Sequence, residues 1–123
     1  MSRRSIWLGL GGLSGASAVG AGAYGSHGLV AKVDDVSLLK LWKTGNHYHL
    51  AHSFALLACG FVASPYSHVA GTLFLSGITL FSGTMYAKAL TDNKQPSFKG
   101  SAPLGGFALM GGWLALAVAR LPK

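Results

Sequence analysis

Acidic side chains are almost missing from this chain: Asp34, Asp35 and Asp92 are the only three in 123 residues. None lies within an apolar segment, so no carboxylate pair is available there for acid–base chemistry. Cysteine is scarcer still. Cys59 stands alone, which excludes an intramolecular disulfide and a thiolate metal centre and leaves the role of a small buried apolar side chain. No serine nucleophile has a matching acid, and the glycine-rich first segment has no strand before it, so hydrolase and dinucleotide-binding readings fail. Charge of either sign is absent from three windows, Ser5–Ala31, Thr44–Ala87 and Gly100–Ala119. Windows of that length belong in a membrane.

The middle window holds 44 residues, too many for one crossing, and the turn-type cluster Ser64-Pro65-Tyr66-Ser67 divides it. A hydrocarbon core of about 30 Å takes about 20 helical residues. The expected fold is therefore all-α, an integral membrane four-helix bundle formed as a single domain over residues 1–123. Its spans fall near 6–24, 48–63, 69–88 and 103–121, and a short interfacial helix near Val36–Lys43, capped by Asp35, joins the first two or runs into the second. Gly25-Ser26-His27-Gly28 is expected to end the first span, Thr91–Lys99 with Pro96 to form a loop in water, and Pro103 to sit in the first turn of the last helix.

Small residues recur where helices should meet. Gly11 and Gly15, the row Gly12, Ala16 and Gly20, then Gly77 and Gly83, and finally Gly105 and Gly112 offer surfaces on which another backbone can close. The first helix, with small residues around much of its circumference, is expected at the centre of the bundle. Trp7 and Trp42 fit an aromatic belt, His68 an interfacial or capping position, and Trp113 an interior one.

The formal charge of +7 does not point to nucleic acid, because the basic residues mark the segment boundaries instead of forming a patch. They suit headgroup anchors. With four spans, Arg3, Arg4, Arg120 and Lys123 face six lysines on the other side, which favours placing the two longer loops inside. The N-terminal Ser2-Arg3-Arg4 before an apolar run imitates a secretory or twin-arginine signal and also suits an uncleaved mitochondrial import signal. Three further spans argue against a secreted product.

One group of side chains could carry chemistry. His27 at the end of the first span, Asn46, His49 and His52 at the start of the second and Tyr86 at the end of the third share a membrane side, and Asn46, His49 and His52 recur at three-residue steps. Three uses are open to them: neutral histidines bonding carbonyls freed at Gly25–Gly28, a proton or ligand site, or a transition-metal site. With no acid nearby in sequence to offset an ion, no metal and no cofactor are assigned, and no residue is marked as catalytic.

Several stretches together resemble the transmembrane protein 256 family, small four-helix membrane proteins of bacteria and eukaryotes formerly grouped as a domain of unknown function. They are Leu13-Ser14-Gly15-Ala16, Tyr24-Gly25-Ser26-His27-Gly28, Asn46 with His49 and His52-Ser53, Ser76-Gly77, Tyr86 with Ala89-Leu90, Ala102-Pro103 with Gly105-Gly106, and Gly112-Trp113-Leu114-Ala115. The resemblance covers nearly the whole chain; Ser26 replaces an alanine common among relatives. It implies a helical bundle of the mitochondrial inner membrane and brings no enzymatic activity. The expected function is a non-enzymatic accessory or scaffold subunit of a larger membrane assembly, with the bilayer and a membrane protein or a second copy as partners. The alternative is a proton-linked carrier or channel, or a lipid-, quinone- or haem-binding protein, using His27, His49 and His52.

Overall fold

The computed structural model describes residues 2–62, 64–92 and 100–119, and these are all helix and short turns, without a strand among them. Helix α1 runs over Arg3–Lys32. Ser2 opens it, its hydroxyl oxygen accepting from the Ser5 amide at 3.1 Å. The expected stop at Gly25–Gly28 does not occur. The chain passes from α-helix (Arg3–Tyr24) through a π-helical turn (Gly25–Leu29) into a last α turn (Val30–Lys32), and Gly25 keeps a helical φ of −59°. Its two glycines serve close approach instead of a reversal. A Cβ on Gly25 would strike the Trp42 indole and one on Gly28 the Tyr24 ring, while the Trp42 indole N–H donates to the Ala21 carbonyl at 2.8 Å. A carbonyl satisfied from outside lets the ladder loosen without breaking.

Asp35 starts α2 (Val36–Phe61), accepting from the Ser37 amide at 2.9 Å and the Ser37 hydroxyl at 2.7 Å. The interfacial helix expected near Val36–Lys43 is the opening of this one continuous rod. Gly45 in its interior does not interrupt it, and that glycine is where Met85 and the Ser82 carbonyl close in. At the far end the Arg3 guanidinium donates to the carbonyls of Cys59 and Val62, so a cation serves orphan acceptors where the helix dipole is negative. Ser64 and Pro65 turn the chain into α3 (Tyr66–Leu90), whose middle, Ile78–Ser82, is again π-helical. Asp92 (φ 58°) and Gly100 (φ 86°) flank the expected polar loop, most of which, with Pro96, lies outside the described residues; so do Ala63, Arg120, Leu121 and Lys123. Helix α4 covers Ser101–Ala119.

The central rod is α2, not α1. Ten of its residues are buried, from Leu38 to Gly60, because α1 lies along one side and α3 along another, with α4 packed on α3. Within its opening α-helical stretch, Arg3–Tyr24, α1 buries Trp7, Gly11 and Ala18. The tryptophans exchange roles relative to expectation. Trp7 (5% exposed) covers Gly71 and donates to His68 Nδ1 at 3.2 Å, Trp42 (8%) is buried against Tyr86, and Trp113 is half exposed. Cys59 is fully buried in the main core with Leu56, Ala70 and Phe74.

By length and composition α1, α3 and α4 could each cross a membrane. Helix α2 is longer than α4, but Asn46, His47, His49 and His52 interrupt its apolar run. Phe54, Phe61, Leu104, Phe107 and Leu114 stand outward and exposed, an arrangement suited to hydrocarbon.

Candidate functional site

Asn46, His49 and Ser53 recur at three- and four-residue steps on α2, so they line the face that α1 and α3 flank. Asn46 Nδ2 donates to the Ala18 carbonyl at 2.7 Å and to the Tyr86 hydroxyl at 3.1 Å. His49 Nδ1 lies 2.9 Å from that same hydroxyl, and its Nε2 lies 3.2 Å from Ser17 Oγ. Ser17 donates to the Ser14 carbonyl at 2.8 Å, and Ser14 and Ser53 pair through their hydroxyls at 2.7 Å.

Elementary accounting orients the hydrogens. Because Ser17 gives its proton to a carbonyl, it can only accept from His49, which places the imidazole hydrogen on Nε2. Nδ1 is then an acceptor for the Tyr86 proton, and the Tyr86 oxygen accepts from Asn46. The result is a directed chain, Asn46 to Tyr86 to His49 to Ser17 to the Ser14 carbonyl. It begins on an amide nitrogen and ends on a peptide oxygen.

His52 belongs to a separate arrangement. Its Nδ1 is 2.8 Å from the Tyr48 carbonyl and so carries the hydrogen, and its Nε2 accepts from the Trp113 indole at 3.0 Å. Its neutral tautomer is thereby set, and both nitrogens are occupied. His27 is exposed on the π turn of α1 and is not among the side chains gathered around His49. The single pocket expected from His27, Asn46, His49, His52 and Tyr86 is therefore divided, with Asn46, His49 and Tyr86 together, His52 turned to α4 and His27 outside. Three residues along a helix leave side chains about 60° apart in azimuth, enough to face different neighbours when a helix is surrounded. The carbonyl bonded near Gly25 is served by Trp42, not by an imidazole. Among the described residues no three histidine, cysteine or acidic side chains gather as metal ligands would.

The sequence does not mark Ser14, Ser17 and Ser53 as members of this network, although Ser14 and Ser53 stand in stretches that carry the family resemblance. Their signal was present as a serine pair three apart on α1, but serine is so common beside glycine in this segment that the pattern alone selects nothing. The glycines also sort by geometry. Added side-chain carbon would collide at Gly11 with Leu57, at Gly77 with Leu109, at Gly105 with Leu80 and Phe81 and at Gly112 with Phe74. Gly15 is at ordinary contact distance, 3.9 Å from Ser53 Cβ, while Gly12, Gly20 and Gly83 meet open space. Gly22, Gly45, Gly60 and Gly71 are further close approaches outside the expected set.

Above the His49 side lies a cavity of about 530 Å³ between α1 and α3, reached from the outside of the bundle. Ser14, Ser17, His49 and Tyr86 form its polar wall, and Leu10, Leu13, Leu75 and Ile78 its apolar one.

Residues 21–106 match the family model described as "Protein of unknown function (DUF423)". The chain belongs to this family. The UPF0382 membrane protein YwdK of Bacillus subtilis is 38% identical over 122 residues, which cover 94% of this chain and 96% of the relative. The UPF0382 membrane protein C1782.12c of Schizosaccharomyces pombe is 38% identical over 110 residues, 86% and 93% of the two chains, and the protein SERP0230 of Staphylococcus epidermidis is 37% identical over 120 residues, 94% and 95%. No solved structure matches the chain. The family is thus one of membrane proteins of uncharacterised function, and its matched region contains Asn46, His49, His52 and Tyr86 but not Ser14, Ser17 or Trp113.

Proposed function

We propose that this is a four-span membrane protein without enzymatic activity that serves as an accessory or scaffold subunit of a larger membrane assembly. At about 1.5 Å per residue the 26 residues of α2 reach about 39 Å, more than a hydrocarbon core, so α2 also crosses, carrying Asn46, His49 and His52 within the bundle while His47 stays exposed. The observation that supports a subunit role is the outer face of α1. Gly9, Gly12 and Gly20 have nothing within reach of an added Cβ, and with exposed Ala16 they leave a smooth stripe open to a partner helix.

The test is native-gel sizing and pulldown after mild-detergent extraction, with the double variant Gly12→Leu/Gly20→Leu. The wild type should co-migrate with a stoichiometric larger complex, and the variant should stay folded but run alone. A wild type running alone, or a variant that still associates, sinks the reading. The proton-linked carrier is the weaker alternative, because the polar chain through His49 ends on Asn46 and on a carbonyl, neither of which exchanges protons with water. The kinship with the transmembrane protein 256 family and a mitochondrial inner-membrane address stay with this proposal. Arg3 and Arg4 before any acid speak for the address, the relatives in bacteria show that the family does not need it, and import into isolated mitochondria tests it.

A further inference from the structure

We propose that the cavity between α1 and α3 binds a neutral, membrane-soluble molecule through a hydroxyl group of that molecule, taken up sideways from the bilayer. The inference is independent of the subunit reading. Its volume, about 530 Å³, lies in the usual range for small-molecule sites, roughly 300–1,000 Å³. Leu13, at its edge, is 71% exposed, and Ser17 and Thr79 are exposed as well. Both flanking helices are long and apolar enough to cross a membrane, so the opening faces hydrocarbon, and a ligand arrives from lipid.

What the cavity can bind follows from where its hydrogens go. Ser53 donates to the His49 carbonyl, so the hydrogen between Ser14 and Ser53 is that of Ser14. Ser17 donates to the Ser14 carbonyl, and His49 Nε2–H to Ser17. Tyr86 donates to His49 Nδ1, Thr79 to the Leu75 carbonyl at 2.9 Å and Ser82 to the Gly45 carbonyl at 2.6 Å. Every side-chain O–H and N–H along the wall is committed to an acceptor inside the protein. Oxygen lone pairs on Ser17, Tyr86 and Thr79 are left over.

A wall that only accepts selects a ligand that donates. Carboxylates, phosphates, ketones and quinones find no hydrogen here and set lone pair against lone pair. An ammonium group would have to shed its water against leucine and isoleucine, which is costly without a counter-charge. Haem finds no ligand in this wall for a different reason: His49, its histidine, carries the hydrogen on Nε2 and accepts from Tyr86 on Nδ1. A neutral alcohol or phenol with an apolar body satisfies both walls, so among quinone-type molecules the hydroquinone is taken and the quinone is not.

The experiment uses the full chain in phosphatidylcholine nanodiscs with a diazirine-bearing long-chain alcohol as photoprobe and peptide mapping of the adducts. Adducts should fall on the segments around Leu13–Ser17 and Ile78–Gly83. Unlabelled alcohol should compete about fivefold better than its methyl ether, the worth of about one net hydrogen bond, and better than the corresponding fatty acid. Gly83→Leu is the blocking variant: Gly83 lines the cavity, has nothing within reach of its Cβ and lies in regular helix, so the protein should fold while adducts at these segments drop at least about fivefold. Equal competition by the ether would reduce the site to unspecific apolar burial and overturn the proposal. Stronger competition by the acid, held at a pH where it is the carboxylate, would identify an anion site and overturn it equally, as would labelling that Gly83→Leu leaves unchanged. Should Gly83→Leu not fold, Leu13→Trp at the mouth carries the same arm, with the same outcomes.

Discussion

His52 accepts from a tryptophan indole with one nitrogen and donates to a carbonyl with the other, so its work is to be satisfied. His52→Ala should leave the Trp113 indole without its partner and open space beside Phe74 and Trp113, costing on the order of 1–3 kcal/mol in detergent unfolding. Added Zn²⁺ should affect the wild type and the variant alike; metal-dependent stabilisation of the wild type that the variant lacks would contradict the His52 tautomer. Tyr86→Phe should cost a similar amount, about 1–3 kcal/mol, since it deprives both Asn46 and His49 of the same oxygen. If the two asparagine and histidine bonds act as one network, Tyr86→Phe and His49→Ala should be less than additive in a double-mutant cycle. Additivity would mean that the chain of bonds is not coupled. Of this residue-scale detail the sequence displayed the participants Asn46, His49 and Tyr86, because polar groups stand out against an apolar background. It did not display the roles of Ser14 and Ser17, because their side-chain partners Ser53 and His49 lie 39 and 32 residues away along the chain.

At the scale of the element, helix ends and close approaches are the informative features. The Asp35 carboxyl, held by the Ser37 hydroxyl and amide, is kept below the usual carboxylate range. Since the folded-state value is the lower one, this cap contributes above the unfolded value, about pH 4, and is lost as pH falls toward the folded one. The protection factors of the Ser37 to Leu39 amides, measured against intrinsic exchange at each pH, should therefore fall below about pH 4, and Asp35→Asn should remove that acid dependence while keeping a cap. Gly105 gives the sharpest packing test. An added methyl there meets Leu80 and the Phe81 backbone, which cannot yield as a side chain can, so Gly105→Ala should destabilise the α3–α4 pair by about 1–3 kcal/mol. Gly12→Leu, facing open space, should leave the stability of the isolated chain within about 0.5 kcal/mol. Comparable losses from the two would show that the glycine surfaces are not distinguished as described.

For the whole molecule, the four-span proposal requires the Ser64–Tyr66 turn and the end of α3 to lie on opposite sides of the membrane. Single cysteines placed at Tyr66 and Asp92 in a Cys59→Ser background should label from opposite faces with an impermeant maleimide. Labelling from the same face would refute the four-span proposal. The central position of α2 has its own consequence. Truncating Leu56, fully buried in the main core, to alanine should cost about 2–5 kcal/mol, whereas Leu13→Ala, outward on α1, should cost far less. Detergent unfolding of the two variants decides this.

The sequence by itself determined the class of environment, the helical content and several helix boundaries, because these depend on residues that are neighbours along the chain. Charge-free windows, Asp35 before α2 and Ser64-Pro65 before α3 are all of this kind. Tertiary structure alone decided which helix is central, that the Gly25–Gly28 stretch continues as a π turn under Trp42, and that His49 and His52 serve different partners. Those outcomes turn on azimuth around a helix and on contacts from distant segments. In a membrane protein the usual guide to azimuth is also weak, for leucine and phenylalanine are as well placed against lipid as against the core. Position along the chain therefore suggests a belt place for Trp7 and an interior one for Trp113, and packing does the reverse, sending Trp7 inside and leaving Trp113 half exposed.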